Sequence, residues 1–130
     1  MDYHTLYMVD YENTGESGIA GIESLSNKDY VVIFFGAQQQ KHIAFNCFEK
    51  IINSPAKVEI KTAKRISPQY IDTWLDSYLG YIIAKHSFKS IIIVSNDRGF
   101  ISMQEFWFNQ NISQQSSILI DSSEQSELCK

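Results

Sequence analysis

Along this chain, short runs of β-branched and aromatic residues alternate with longer segments whose apolar residues recur every three or four positions. That alternation is the signature of strands joined by helices in βαβ units, and it implies an α/β fold around a parallel sheet. Strands are expected at Leu6 to Val9, Tyr30 to Phe35, Lys57 to Thr62, Ser90 to Val94 and Ser117 to Ile120. A short helix is expected within Gly18 to Ser26. A longer one is expected over Gln38 to Ile52, where Ile43, Ala44, Cys47, Phe48, Ile51 and Ile52 keep helical spacing and Pro55 ends the segment. The clearest helix spans Pro68 to His86, with Ser67 as its cap and Pro68 in its first turn. A fourth is expected over Gly99 to Asn109, burying a stripe of Phe100, Met103, Phe106 and Trp107.

The chain's 130 residues suit one domain, expected over 1–121, followed by a polar, Ser- and Glu-rich tail over 122–130. Cys47 and Cys129 lie far apart and outside any C-x-x-C spacing, which argues against a disulfide framework or structural zinc. No apolar stretch approaches bilayer length and the first residues lack the order of a signal peptide, so a soluble, cytoplasmic protein with no membrane partner is expected. Fifteen acidic against eleven basic side chains give a net charge of −4. That balance works against broad contact with a nucleic-acid backbone, and any such contact would be local.

The chemistry concentrates in two acidic turns that follow apolar strands. Leu6-Tyr7-Met8-Val9 runs into Asp10-Tyr11-Glu12-Asn13, and Ile91-Ile92-Ile93-Val94 runs into Ser95-Asn96-Asp97-Arg98-Gly99-Phe100. In parallel strands of one sheet both turns emerge at the same edge, where open α/β sheets hold their ligands. A helical wheel at about 100° per residue puts Ile71, Leu75, Tyr78, Leu79 and Ile82 on one face, with Asp72 at its margin and Asp76 rotated outward. Each acid has a plainer role open to it. Asp10 can organise a turn, Asp97 can cap a helix, Asp72 can favour a helix dipole and Asp76 can simply be solvated. Three carboxylates converging on one edge are also the ligand type that Mg²⁺ and Mn²⁺ prefer.

In their order, Val9-Asp10-Tyr11-Glu12-Asn13, then Ile71-Asp72 with Leu75 and Tyr78-Leu79-Gly80-Tyr81, then Ser95-Asn96-Asp97-Arg98-Gly99-Phe100, the segments resemble the PIN-like nuclease superfamily and its NYN relatives. The resemblance implies a Rossmann-like three-layer α/β/α fold and Mg²⁺- or Mn²⁺-dependent phosphodiester hydrolysis, usually of RNA. It carries the catalytic metal-ligand roles to Asp10, Asp72 and Asp97, and makes Glu12 a further ligand or a partner that orients one. Asn13, Ser95, Asn96 and Asp76 become supporting or substrate-contacting residues. One departure stands out: many relatives have an acid about a turn after the S/T-x-D aspartate, where this chain has Ile101, with Glu105 and Asp121 as substitutes.

Lys61, Lys64 and Arg65 precede the helix of Asp72 and are positioned to hold RNA phosphates, or to be a solvated loop. The same features admit a PIN-like module that binds RNA or protein without cutting. Asp10-Tyr11-Glu12-Asn13-Thr14 also echoes the D-x-D-x-T turn of haloacid-dehalogenase-type phosphatases, without the later acidic pair. Trp74, on the helix face opposite Asp72, makes a homodimer a further possibility.

Overall fold

The computed structural model describes residues 2–39, 42–64, 70–96, 102, 105–106 and 118–121, the last four by backbone alone. Its elements are β1 (Asp2–Asp10), α1 (Tyr11–Thr14), β2 (Asp29–Phe35), α2 (Phe45–Asn53), β3 (Lys57–Thr62), α3 (Tyr70–Lys85), β4 (Ser87–Val94) and β5 (Ile118–Asp121). Every strand pairing is parallel, and the order across the sheet is β3-β2-β1-β4-β5. Helices cover both faces, giving the three-layer α/β/α arrangement.

Successive side chains of a strand point to opposite faces, and here both faces are apolar. Leu6 and Met8 of β1, Tyr30, Val32 and Phe34 of β2, and Ile91 and Ile93 of β4 meet Ile71, Leu75, Leu79 and Ile82 of α3. Tyr7, Val9, Val31, Ile33, Phe35 and Val94 form the opposite face, covered by Ile19, Ile22, Cys47 and Ile51. The wheel drawn for α3 holds: Ile71, Leu75, Leu79 and Ile82 are buried, Asp72 is half-buried and Asp76 is exposed. β3 forms the sheet's edge on one side, and its α3-facing positions are Lys57, Glu59 and Lys61 rather than aliphatics.

Three helix expectations need correction. Residues 18–26 form no α-helix; 3₁₀ turns at Gly15–Ile19 and Ile22–Ser24 are separated at Gly21, whose φ of 88° no regular helix allows. The helix expected from Gln38 begins instead at Phe45, because Gln39 is pinned in a turn: its Oε1 accepts from the Gly36 N–H at 2.9 Å and its Nε2 donates to the Tyr11 carbonyl at 2.8 Å. Within α2 only Cys47 and Ile51 are buried, while Phe45, Phe48 and Ile52 are exposed. The helix is amphipathic, but it presents a narrower stripe to the sheet than its spacing suggested.

Phe106, expected in a buried stripe, is 53 % exposed. Apart from Ser102 and Glu105, which are also exposed, the rest of the helix expected at Gly99 to Asn109, the cap at Ser67 and Pro68, and the tail over 122–130 lie outside the described residues.

Candidate active site at the sheet edge

The sheet order reverses direction between β1 and β4, since β2 and β3 lie to one side and β5 to the other. In an open parallel sheet this is the point where the loops beyond the strands diverge and leave a crevice. The register sets Val9 beside Val94, so Asp10 and Ser95 are the first residues past that pair.

Asp10 is fully buried, at 0 % exposure. It continues the alternation of Leu6 and Met8 and therefore belongs to the α3 side of the sheet. Its Oδ2 accepts a hydrogen bond from Asn13 Nδ2 at 2.6 Å and another from Ser95 Oγ at 2.9 Å, one from each bank of the crevice. Its backbone carbonyl accepts from Thr14 Oγ1 at 2.9 Å. Asn96 closes the crevice further, its Nδ2 donating to the Asn13 carbonyl at 3.3 Å. Ser95 thus contacts Asp10 directly, and Asn96 contacts Asn13.

The residues between Asp10 and Asn13 divide the labour. Tyr11 turns into the opposite core, its ring 4.5 Å from that of Phe35 and its hydroxyl 3.2 Å from Cys47 Sγ. Burial, and then the Cys47 contact, push its phenol well above the usual range, so it is a neutral anchor. Glu12 is exposed at the mouth and leans over Gly36 at the end of β2. A Cβ built on Gly36 would come within 2.5 Å of Glu12 Oε2, so the glycine leaves room for that carboxylate. The Glu12 carboxyl is raised above its ordinary value, first by burial and then by the charge of Asp10. Two carboxylates that repel across a partly desolvated crevice form a donor set that a divalent cation would relieve.

Asp72 lies in the first turn of α3, and α3 follows β3 at this same edge of the sheet. Asp76, a turn later, faces solvent. Asp97, Arg65 and Ile101 lie outside the described residues, as does the side chain of Asp121, while Glu105 is exposed. Among the described residues no three His, Cys, Asp or Glu side chains gather closely enough to hold a metal ion. Lys64 is exposed after β3, whereas the Lys61 ammonium lies 4.5 Å from the centre of the Tyr78 ring, against α3.

Sequence reasoning missed Gln39, which ties the loop after β2 to the loop after β1, and Thr14, which fastens the Asp10 backbone. The Gln38-Gln39-Gln40 run just past a strand was the available signal for the first. Thr14 was visible only as part of a phosphatase-like turn.

No helix among the described residues is long and apolar enough to cross a membrane. No curated protein and no solved structure matches the chain. The sequence profile of the PIN domain does match, over residues 4–117, which takes in every strand from β1 to β4 and both acidic turns. PIN domains are generally nucleases and generally use divalent metal ions. With that match covering most of its length, and with a buried aspartate at the crevice of a parallel sheet, the chain belongs to the PIN domain family.

Proposed function

We propose that this protein is a metal-dependent ribonuclease that hydrolyses phosphodiester bonds at the crevice between β1 and β4. The observation that carries the reading is Asp10: a carboxylate removed from water at a ligand-binding edge, oriented through one oxygen by Asn13 and Ser95. Burying a carboxylate is costly without compensation, and a carboxylate held at this edge beside a second acid, Glu12, is the ligand type that a divalent cation prefers.

The residues that would hold Mg²⁺ or Mn²⁺ are Asp10, Asp72, Asp97 and Glu12, and the raised Glu12 carboxyl fits a set that gains from a cation. Such an ion lowers the pKa of a bound water and polarises a phosphoryl oxygen. The chain's own residues do the positioning. Asn13 and Ser95 hold Asp10 in one rotamer, Asn96 fixes the Asn13 backbone, and Gln39 braces the loop that carries Glu12. Lys61, Lys64 and Arg65 precede α3 in the chain, and they serve the phosphates of an RNA substrate. Asp76 is a substrate-side acid at the rim.

A second reading, a PIN domain that binds RNA without cutting it, is favoured by Ile101 standing where many relatives carry an acid. Incubating purified protein with single-stranded and structured RNA in Mn²⁺ or Mg²⁺, beside Asp10→Asn and Asp97→Asn, separates the two. Cleavage by the parent that both substitutions abolish supports the nuclease. RNA binding with no cleavage by any of the three supports the second reading and overturns the first.

A further inference from the structure

One flank of α3 carries a row of rings. Tyr70 and Trp74 stack with centroids 5.6 Å apart and planes 18° from parallel, and Trp74 remains 39 % exposed. One turn further, Tyr78 and Tyr81 lie 5.5 Å apart, with Tyr81 54 % exposed. Two adjoining hollows of about 300 and 490 Å³ share Tyr78 and Tyr81 and so form one groove down the helix. Its wall carries two lysines and one acid: Lys61 Nζ lies 4.5 Å from the Tyr78 centroid and Lys85 Nζ 5.1 Å from that of Tyr81, with Glu59 3.9 Å from Lys61.

We infer that this groove is a stacking track for single-stranded RNA, an inference that rests on the ribonuclease reading for the identity of the strand. Unpaired bases present π-faces to any exposed ring, and lysines beside the rings meet the phosphates; that combination is how single strands are held without sequence readout. Trp74 and Tyr81 are seven residues apart, roughly 10 Å along the axis, enough to seat separate bases. Tyr70 begins the track at the end of α3 that lies at the sheet edge of Asp10, so a strand leaving the crevice can continue along the helix.

Lys85 is exposed, while Lys61 is partly buried and shared between the Tyr78 ring and Glu59 3.9 Å away. An exposed ammonium over a ring is held by only about 0.5–1 kcal/mol, and a phosphate offers it a charge-assisted bond instead. Charge also decides against a second copy of the chain as occupant. A two-fold pairing of this face would bring Lys61 and Lys85 toward their counterparts. The wholly apolar stripe of Phe45, Phe48 and Ile52 on α2 carries no such conflict. Duplex RNA fits poorly, since its bases are already stacked on one another.

The test uses the full chain as Asp10→Asn, with a labelled 12-nucleotide single strand and the same sequence as a duplex. To this background are added Trp74→Ala, Trp74→Phe, Tyr81→Ala and the pair Lys61→Ala with Lys85→Ala, each checked for an unchanged melting profile. Removing either ring should weaken single-strand binding by about 5- to 100-fold, Trp74→Phe should restore most of it, and duplex binding should be weak throughout. The double lysine variant should flatten the salt dependence by a slope of roughly 1.4. In the cleaving parent, Trp74→Ala should slow a long substrate and spare a dinucleotide.

Unchanged binding in the ring variants overturns the track while leaving cleavage, and with it the nuclease reading, intact. Loss of binding in the ring variants of a protein that never cleaves overturns the nuclease and keeps the track. A dimer that Trp74→Ala dissociates, with RNA binding unaltered, makes the face a self-interface and overturns the inference.

Discussion

Two glutamates of this protein, both partly withdrawn from water, titrate in opposite directions. Glu12 at the crevice is raised, by burial and then by Asp10. Glu59 in the groove under α3 also loses solvation, its largest single influence, yet it ends up lowered. Hydrogen bonds from Tyr30 and Tyr78, and then the charges of Lys61 and Lys57, together outweigh burial. The Tyr78 hydroxyl reaches both Glu59 oxygens, at 2.9 and 3.1 Å, and Lys61 stands 3.9 Å away. Glu59 is therefore a finished structural carboxylate, stabilised by donors already in the chain. Glu12 and Asp10 instead repel one another, and the difference separates a carboxylate neutralised within the fold from a pair that the proposed cation would relieve.

The comparison breaks most visibly at Asp10. Asp10→Asn keeps the shape of the side chain and removes its charge, and RNA cleavage in Mn²⁺ should fall by more than about 100-fold. Activity within a few-fold of the parent would remove Asp10 from the chemistry. Asn13→Ala and Ser95→Ala leave the charge and loosen its orientation, so each should cost roughly 10- to 100-fold, with the melting temperature little changed.

On the Glu59 side the effect should appear in stability rather than activity. Glu59→Ala leaves two phenols in the groove without their acceptor, and chemical denaturation should show a loss of about 1–3 kcal/mol. Because the folded-state pKa of Glu59 lies below its unfolded value, its contribution is present above the unfolded pKa and is lost as pH falls through the folded one. Glu59→Gln should therefore flatten the acid arm of a stability-versus-pH curve. Glu12 carries the opposite sign. Its contribution is present below the unfolded pKa and is lost as pH rises through the raised folded value. In metal-free protein near neutral pH, Glu12→Gln should thus be stabilising, by no more than a few tenths of a kcal/mol at so exposed a position. A clear destabilisation there would mean that the two carboxylates do not repel.

Much of this was legible in the chain because it depends on period and order. Near-continuous apolar runs in β1, β2 and β4 report a sheet apolar on both faces, and the wheel of α3 separates Asp72 from Asp76. What failed was local. The start of α2 is set by Gln39 reaching back to the Tyr11 carbonyl, a contact between two loops that no single-segment pattern encodes. Nor could the sequence show that Lys61 lies against the rings of α3, because that depends on β3 being an edge strand whose Lys57-Glu59-Lys61 face turns toward them. The site was legible as a set of acids after strands. The hydrogen bonds that orient Asp10 depend on β1 and β4 being neighbours, and that adjacency is a property of the whole sheet.

The most direct measurement is the melting temperature of the parent and of Asp10→Asn as Mn²⁺ is titrated into metal-free protein. A ligand bound only by the folded state stabilises it by about 2.7 kcal/mol at a hundredfold excess over its Kd, which is several degrees for a domain of this size. The parent should climb with Mn²⁺ and Asp10→Asn should stay flat. An equal rise in both proteins, or none in either, would contradict a cation site built on Asp10.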